Sequence, residues 1–118
     1  AAPPWSVNAC AQAAGIAALA DLDHHRRSVD LLTRERDRMA AGLRELGWIT
    51  EPTAAGFFLI HAGDAPALRR DLLARGCLVR DCTSFGLPGH VRVSPRHPEQ
   101  NDRLLQAVAS LSPPEAAE

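Results

Sequence analysis

Two arginines at the ends of a turn-rich loop have the chemistry to hold an anion. Arg80 and Arg92 flank the run Asp-Cys-Thr-Ser-Phe-Gly-Leu-Pro-Gly-His-Val. A guanidinium group is planar and permanently charged, and it can donate two parallel hydrogen bonds to a carboxylate or a phosphate. We therefore expect Arg80 and Arg92 to bind an anionic substrate at two points.

Each arginine also has a purely structural interpretation. Arg92 could pair with an acid inside the fold, and Arg80 could form a surface ion pair with the residue that follows it, Asp81. Such pairs are frequent in proteins, and exposed ones contribute little to stability. These alternatives stay open at the level of the sequence.

The chain contains no lysine, since all 13 of its lysine-plus-arginine residues are arginine. A Schiff base with a carbonyl compound needs a side-chain amine. No side chain of this sequence can form one, and we assign no catalytic residue to it.

The composition limits the function further. A length of 118 residues predicts a single domain over residues 1–118. A net charge of −1 and few aromatic residues argue against nucleic-acid binding. Three cysteines without a secretory leader indicate the cytoplasm. The absence of a long apolar stretch argues against a membrane span.

Histidine and cysteine are the usual zinc ligands, but their spacing here differs from known zinc-binding patterns. The candidates are His24, His25, Cys77, Cys82, His90 and His97. Cys77 and Cys82 have no matching second pair, and adjacent histidines point in different directions on a helix. We therefore expect no metal site.

The first half of the chain predicts two helices. Ser6 or Asn8 can cap an alanine-rich helix that runs to about residue 20, and residues 21–24 predict a break. A second helix is expected over residues 25–46, with Gly47 as its C-terminal cap. Its apolar face comprises Val29, Leu32, Met39, Leu43 and Leu46. Trp5 is expected to anchor the entry segment against the core.

The second half predicts three strands and two helices. Strands are expected over residues 56–61, 77–80 and 90–94. A helix capped by Asp64 and ended by Gly76 lies between the first two strands, and Pro98 begins the last helix. The apolar faces of these helices comprise Leu68, Leu72 and Leu73, and then Leu104, Leu105, Val108 and Leu111. Residues 113–118 are expected to be a disordered tail.

These elements predict an α+β fold. A small, mainly antiparallel three-stranded sheet carries helices on one face and is preceded by a long N-terminal helical segment. A right-handed crossover between the first two strands leaves the central place to the third, antiparallel to both. Val91 and Val93 then face one side of the sheet, and Arg92 and Ser94 face the other.

Four segments in this order resemble the C-terminal part of histidinol-phosphate aminotransferases and of the related threonine-phosphate decarboxylases of cobalamin synthesis. They are Pro-Pro-Trp-Ser-Val-Asn at 3–8, Gly-Cys-Leu-Val-Arg-Asp at 76–81, Val-Arg-Val-Ser at 91–94 and Pro-Glu-Gln-Asn-Asp-Arg-Leu-Leu at 98–105. Together they are typical of class I/II pyridoxal-phosphate enzymes.

The resemblance implies that residues 1–118 form the small domain of a fold-type-I enzyme, which closes over an active site built mainly by a larger domain, within a homodimer. It implies that Arg92 holds the substrate carboxylate and that Arg80 helps to hold a phosphate or second anionic end. The cofactor lysine belongs to the large domain, which this sequence lacks. The chain alone is therefore expected to bind no pyridoxal phosphate and to be inactive.

The implied substrates are phosphorylated amino-acid compounds, and the implied reaction is that of an aminotransferase or a decarboxylase. The alternative is a free-standing α+β module that binds an anion at Arg80 and Arg92, or binds another protein, and performs no chemistry. A cofactor lysine encoded upstream of Ala1 would support the enzyme.

Overall fold

The computed structural model describes residues 6–114. Its elements are α1 (Ala9–Ala20), α2 (Leu22–Glu45), β1 (Phe58–His61), α3 (Ala65–Ala74), β2 (Arg80–Asp81), a 3-10 turn (Thr83–Phe85), β3 (His90–Val93) and α4 (Pro98–Ala109). Trp5 and most of the predicted tail lie outside the described residues. No helix within residues 6–114 is long and apolar enough to cross a membrane.

The chain divides into two compact units, at residues 31 and 32 within the sequence of α2. In the first unit, the carboxamide oxygen of Asn8 accepts a hydrogen bond from the Ala11 amide at 2.9 Å and caps α1. Asp21 does the same for the amide of His24, also at 2.9 Å. Because Asp21 is a good cap, α2 begins at Leu22, earlier than predicted, and the break is one residue long.

The second unit contains the sheet, whose strand order β1-β3-β2 confirms the predicted topology. β3 is antiparallel to both neighbours, with Ile60 opposite Val91 and Arg80 opposite Arg92. An isolated bridge from Thr50 to Ile60 adds a short extended segment at the outer edge of β1.

One face of the sheet is buried under the helices. Phe58, Ile60, Val91 and Val93 alternate along β1 and β3 with polar or half-exposed residues, and all four are buried. The helices contribute the rest of this core through Met39, Leu43, Leu68, Leu72, Leu104 and Val108. Burial of these apolar side chains is the main driving force for the packing of helices on sheet.

Two glycines end their helices as predicted. Gly47 has φ of 86° and Gly76 has φ of 76°, a left-handed conformation that glycine adopts without steric cost. After each glycine, the next amide donates back to the last turn, from Trp48 to Leu43 and from Cys77 to Leu72, at 2.9 and 2.8 Å. These are Schellman caps.

The predicted strand at residues 77–80 was wrong in its bounds, and the second cap explains why it does not begin at residue 77. The amide of Cys77 is used by the α3 cap and cannot pair with β3, so β2 comprises only Arg80 and Asp81. Cys77, predicted to be buried in a strand, is half-buried and precedes it.

Several predicted core positions are exposed instead. Val29 and Leu32 of α2, and Leu46 just after it, are 46%, 39% and 37% exposed, because only Met39 and Leu43 of the predicted face reach the core. Leu73 of α3 is 48% exposed, since it lies one residue round the helix from Leu72.

The neighbours Leu72 and Leu73 offer a matched test of this core. Leu72→Ala should lower the free energy of unfolding by about 2–5 kcal/mol, because it leaves a cavity at a fully buried position. Leu73→Ala removes the same atoms from a half-exposed position and should cost less than about 1 kcal/mol. Urea unfolding measures both, and equal losses would contradict the assigned packing.

Candidate anion-binding site

The sheet face opposite the helices carries the polar side chains, and we call it the open face. Alternation and register place five residues there, in two cross-strand rows. The arginine row comprises Leu59, Arg92 and Arg80, and the histidine row comprises His61 and His90. Arg80 is exposed, and the other four side chains are partly exposed.

The fold brings Arg80 and Arg92 directly opposite each other on β2 and β3. Cα atoms of such pairs are about 4.5–5.5 Å apart, and their side chains leave the same face of the sheet. Like charges in this position repel each other. An anion bound between or beside them would relieve the repulsion.

Each guanidinium lies over an aromatic ring and not against an acid. The Cζ atom of Arg92 is 5.1 Å from the ring centroid of Phe57, and that of Arg80 is 5.3 Å from the centroid of Phe85. Arg80 also donates to the hydroxyl of Ser84 at 3.2 Å. A cation at this distance from a ring centroid is attracted to the face of the ring, and a guanidinium has five N–H donors, so other donors remain for an anion.

Neither structural alternative is realised as a close ion pair within residues 6–114. No carboxylate there lies within 4.0 Å of a nitrogen of Arg80 or Arg92. Asp81 instead accepts hydrogen bonds from the hydroxyl and the amide of Thr83, at 2.6 and 2.8 Å. These bonds, the hydroxyl first, lower the pKa of Asp81, and the charge of Arg80 is a minor further cause.

The connection from β2 to β3 is fixed at both ends. After the 3-10 turn, Leu87 and Cys82 are joined by a backbone hydrogen bond of 3.2 Å. The carbonyl of Gly89 accepts from the amide of Ala62 at 2.7 Å, and that of Pro88 accepts from Ala65 at 3.1 Å. The turn-rich loop between the arginines is therefore attached to the end of β1 and the start of α3.

The histidine row has contacts of its own. The rings of His61 and His90 meet edge to face, with centroids 5.1 Å apart. The Nε2 atom of His90 lies 3.9 Å from a carboxylate oxygen of Glu51. No group of three metal-binding side chains occurs within the described part of the chain.

Sequence reasoning missed Phe57, Phe85 and His61. Alternation along β1 was the available signal for His61, since it places this residue on the same face as Leu59. The same alternation places Phe57 on this face, but Phe85 had no such signal, because its contact with Arg80 depends on the course of the loop after β2.

A buried polar cluster fixes the chain where it leaves β3. Asn101, only 2% exposed, accepts from the Arg96 amide at 2.8 Å and donates to the Arg96 carbonyl at 2.9 Å. Its amide also donates to the carboxylate of Glu35 at 2.7 Å. Arg38 donates two hydrogen bonds to the same carboxylate, at 3.2 and 2.8 Å. The cluster ties α4 and the exit of β3 to α2.

Glu35 is held in its charged form by this cluster. The hydrogen bonds from Arg38, and then that from Asn101, lower the pKa of Glu35 against the opposing effect of burial.

Comparison with known structures places this fold among the pyridoxal-phosphate-dependent aminotransferase-like enzymes. Histidinol-phosphate aminotransferase from Clostridium acetobutylicum superposes with a TM-score of 0.76, with 27% identity over 92% of this chain and 34% of that one. L-threonine-O-3-phosphate decarboxylase from Porphyromonas gingivalis superposes with a TM-score of 0.72, with 29% identity over 89% of this chain and 34% of that one.

The sequence comparisons define the family. Residues 1–108 match the family model of aminotransferase class I and II, and the chain belongs to this family. Histidinol-phosphate aminotransferase from Symbiobacterium thermophilum is 45% identical over 89% of this chain and 29% of its own length. That from Mycobacterium sp. (strain KMS) is 42% identical over 97% of this chain and 30% of its own length. The chain thus spans about three tenths of the relatives it matches.

The lowered pKa of Glu35 predicts how acid weakens the fold. The carboxylate of Glu35 takes up a proton more readily in the unfolded chain than in the folded one. Its contribution to the free energy of unfolding is therefore complete above about pH 4.3, the ordinary glutamate pKa, and is lost as the pH falls towards the lower pKa of the folded chain. Free energies of unfolding measured in urea should therefore decline more steeply below that pH in the wild type than in Glu35→Gln.

Glu45→Gln, at an exposed position of the same helix, is the control and should keep the wild-type slope. Identical slopes for the wild type and Glu35→Gln would show that the cluster does not hold the charged carboxylate.

Proposed function

We propose that this chain is the substrate-binding part of a pyridoxal-phosphate-dependent aminotransferase or decarboxylase, and that its open face binds the anionic groups of the substrate. Arg92 binds the substrate carboxylate, and Arg80 binds a phosphate or other second anionic end. The observation that carries this proposal is the cross-strand pairing of two arginines whose nitrogens have no carboxylate within 4.0 Å among the described residues.

The surroundings of the two arginines support unequal roles. Arg92 is half-buried on the central strand, and its guanidinium lies over the ring of Phe57, so it suits the role of the anchor. Arg80 is exposed on a two-residue edge strand. An anchored carboxylate fixes the orientation of the rest of the substrate, which favours reaction at one bond over its neighbours.

Pyridoxal phosphate supplies the electron sink for such reactions when it is bound. The residues of this chain do not fit the role of holding it, because the sequence offers no lysine for covalent attachment. We therefore assign substrate binding to this chain and expect the chain by itself to be inactive. A larger cofactor domain supplies the attachment site in our proposal.

The partners follow from the same proposal. Helix α1 exposes Ile16 by 72% and Leu19 by 79%, which suits contact with the cofactor domain of a homodimeric enzyme. The names of two relatives contain phosphorylated compounds, histidinol phosphate and L-threonine-O-3-phosphate. We propose a phosphorylated amino-acid compound as the substrate here.

Sulfate is a suitable probe of the site, because its charge is constant near neutral pH. Arg92→Gln should weaken sulfate binding about tenfold, since a hydrogen bond to a charged group contributes about 1.5 kcal/mol. Isothermal titration calorimetry at low ionic strength measures the loss.

The matched control is Arg70→Gln, at an exposed position of α3 outside the open face. It should bind sulfate as the wild type does. An equal loss in both variants would show that sulfate binding depends on the net charge of the chain and not on this site. Unchanged binding in Arg92→Gln would show that Arg92 does not bind the anion.

A further inference from the structure

The aromatic ring beside Arg92 belongs to a loop that leads into β1. Just before this loop, the amide of Glu51 donates to the carbonyl of Leu59 at 3.0 Å, and the two sides run antiparallel as a hairpin. Residues 52–57 lie between them and end with Phe57; we call them the tip loop. Backbone pairing holds the base of the hairpin and leaves the tip loop to other contacts.

Arg36 of α2 makes the one hydrogen bond that joins the tip loop to the rest of residues 6–114. Its Nη1 atom donates to the carbonyl of Ala55 at 3.0 Å. The other hydrogen bond of the loop is internal, from the amide of Ala55 to the hydroxyl of Thr53 at 3.0 Å. Because Ala55 lies two residues before Phe57, the bond from Arg36 holds the loop close to the aromatic ring.

The burial of Arg36 fits this contact. The side chain is only 14% exposed, and its Nε atom donates to a carboxylate oxygen of Asp37 at 2.9 Å. Burial of a charged group costs free energy unless the group is paired and hydrogen-bonded. The ion pair does not require burial, since the side chain of Asp37 is 64% exposed. The bond to Ala55 accounts for it, because it holds the guanidinium against the loop.

Helix α2 gives Arg36 a fixed support. Met39 and Leu43 follow Arg36 by three and seven residues, so the three side chains lie on one face of the helix. Met39 and Leu43 are fully buried in the core. The hydrophobic core therefore fixes the position from which Arg36 reaches the tip loop.

We propose that Arg36 is a positioning residue for the anion site. It holds the tip loop through Ala55, and the loop presents the ring of Phe57 to the guanidinium of Arg92, with 5.1 Å from Cζ to the ring centroid. The ring attracts the guanidinium and so favours the direction in which it meets a carboxylate. The inference rests on the proposed function and adds to it a residue that touches no substrate.

The ring of Phe57 provides a readout that needs no anion. Protons over the face of an aromatic ring resonate upfield, so the Arg92 Hε signal should lie upfield of its position in Phe57→Leu. Arg36→Met keeps an unbranched side chain and removes every donor. It should move the Arg92 signal towards its position in Phe57→Leu, because the released loop no longer keeps the ring in place. Nuclear magnetic resonance of the 118-residue chain measures the shift.

The binding of sulfate shows whether this position matters for the anion. Arg36→Met should weaken it about two- to fivefold, the scale of one exposed cation–π contact. The matched control is Arg44→Met, which also removes one positive charge from α2. Arg44 donates to the hydroxyl of Thr50 at 3.2 Å, at the base of the hairpin that backbone bonds already hold. This variant should leave the Arg92 signal in place and bind sulfate more tightly than Arg36→Met.

Circular dichroism checks that each variant is folded. If Arg36→Met does not fold, Thr53→Val releases Ala55 from within the loop and should move the Arg92 signal in the same direction. An unchanged signal in the folded variant that is measured would overturn the positioning role.

The affinities separate this inference from the proposed function. Equal sulfate affinities of Arg36→Met and Arg44→Met would overturn the positioning role and leave the binding of the anion by Arg92 standing. Sulfate binding that survives Arg92→Gln would show that Arg92 does not bind the anion. That result would overturn the positioning role as well, even where the Arg92 signal moves as expected.

Discussion

The alternation along β3 is the constraint on which the candidate site depends. Val91 and Val93 are buried against the helices, and since successive side chains of a strand point to opposite faces, Arg92 must leave the core. A slip of one residue would bury the guanidinium and expose the valines. The hydrophobic core therefore fixes the direction of Arg92, and the antiparallel register then places Arg80 opposite it.

Elements outside the open face hold this arrangement in place. The Schellman cap at Gly76 uses the amide of Cys77 and so limits β2 to the residues around Arg80. At the other end of β3, the buried amide of Asn101 holds both backbone groups of Arg96. Both contacts hold the chain on either side of the arginine row. The guanidinium groups of Arg80 and Arg92 therefore stay on the open face, away from the core.

The sequence was informative where local chemistry decides the structure. Strand order, the faces of β3 and the glycine caps followed from alternation, turn residues and crossover handedness, whereas the register that places Arg80 opposite Arg92 came from the structure. The strand at 77–80 and the core position of Leu73 were wrong, because a helix cap and the direction of α3 on the sheet decided them. The contact of Arg92 with Phe57 and that of His61 with His90 depend on the strand register and on side-chain directions, which the sequence does not give.

The central claim is that Arg80 and Arg92 together bind the two anionic ends of one compound. The most direct measurement follows the arginine Nε–Hε signals of the 118-residue chain by nuclear magnetic resonance during a titration with 3-sulfopropanoate, which carries a sulfonate and a carboxylate, at constant ionic strength. The account predicts that the signals of Arg80 and Arg92 shift along one common saturation curve while that of Arg70 stays in place. Shifts of all arginine signals alike, or separate curves for Arg80 and Arg92, would contradict it.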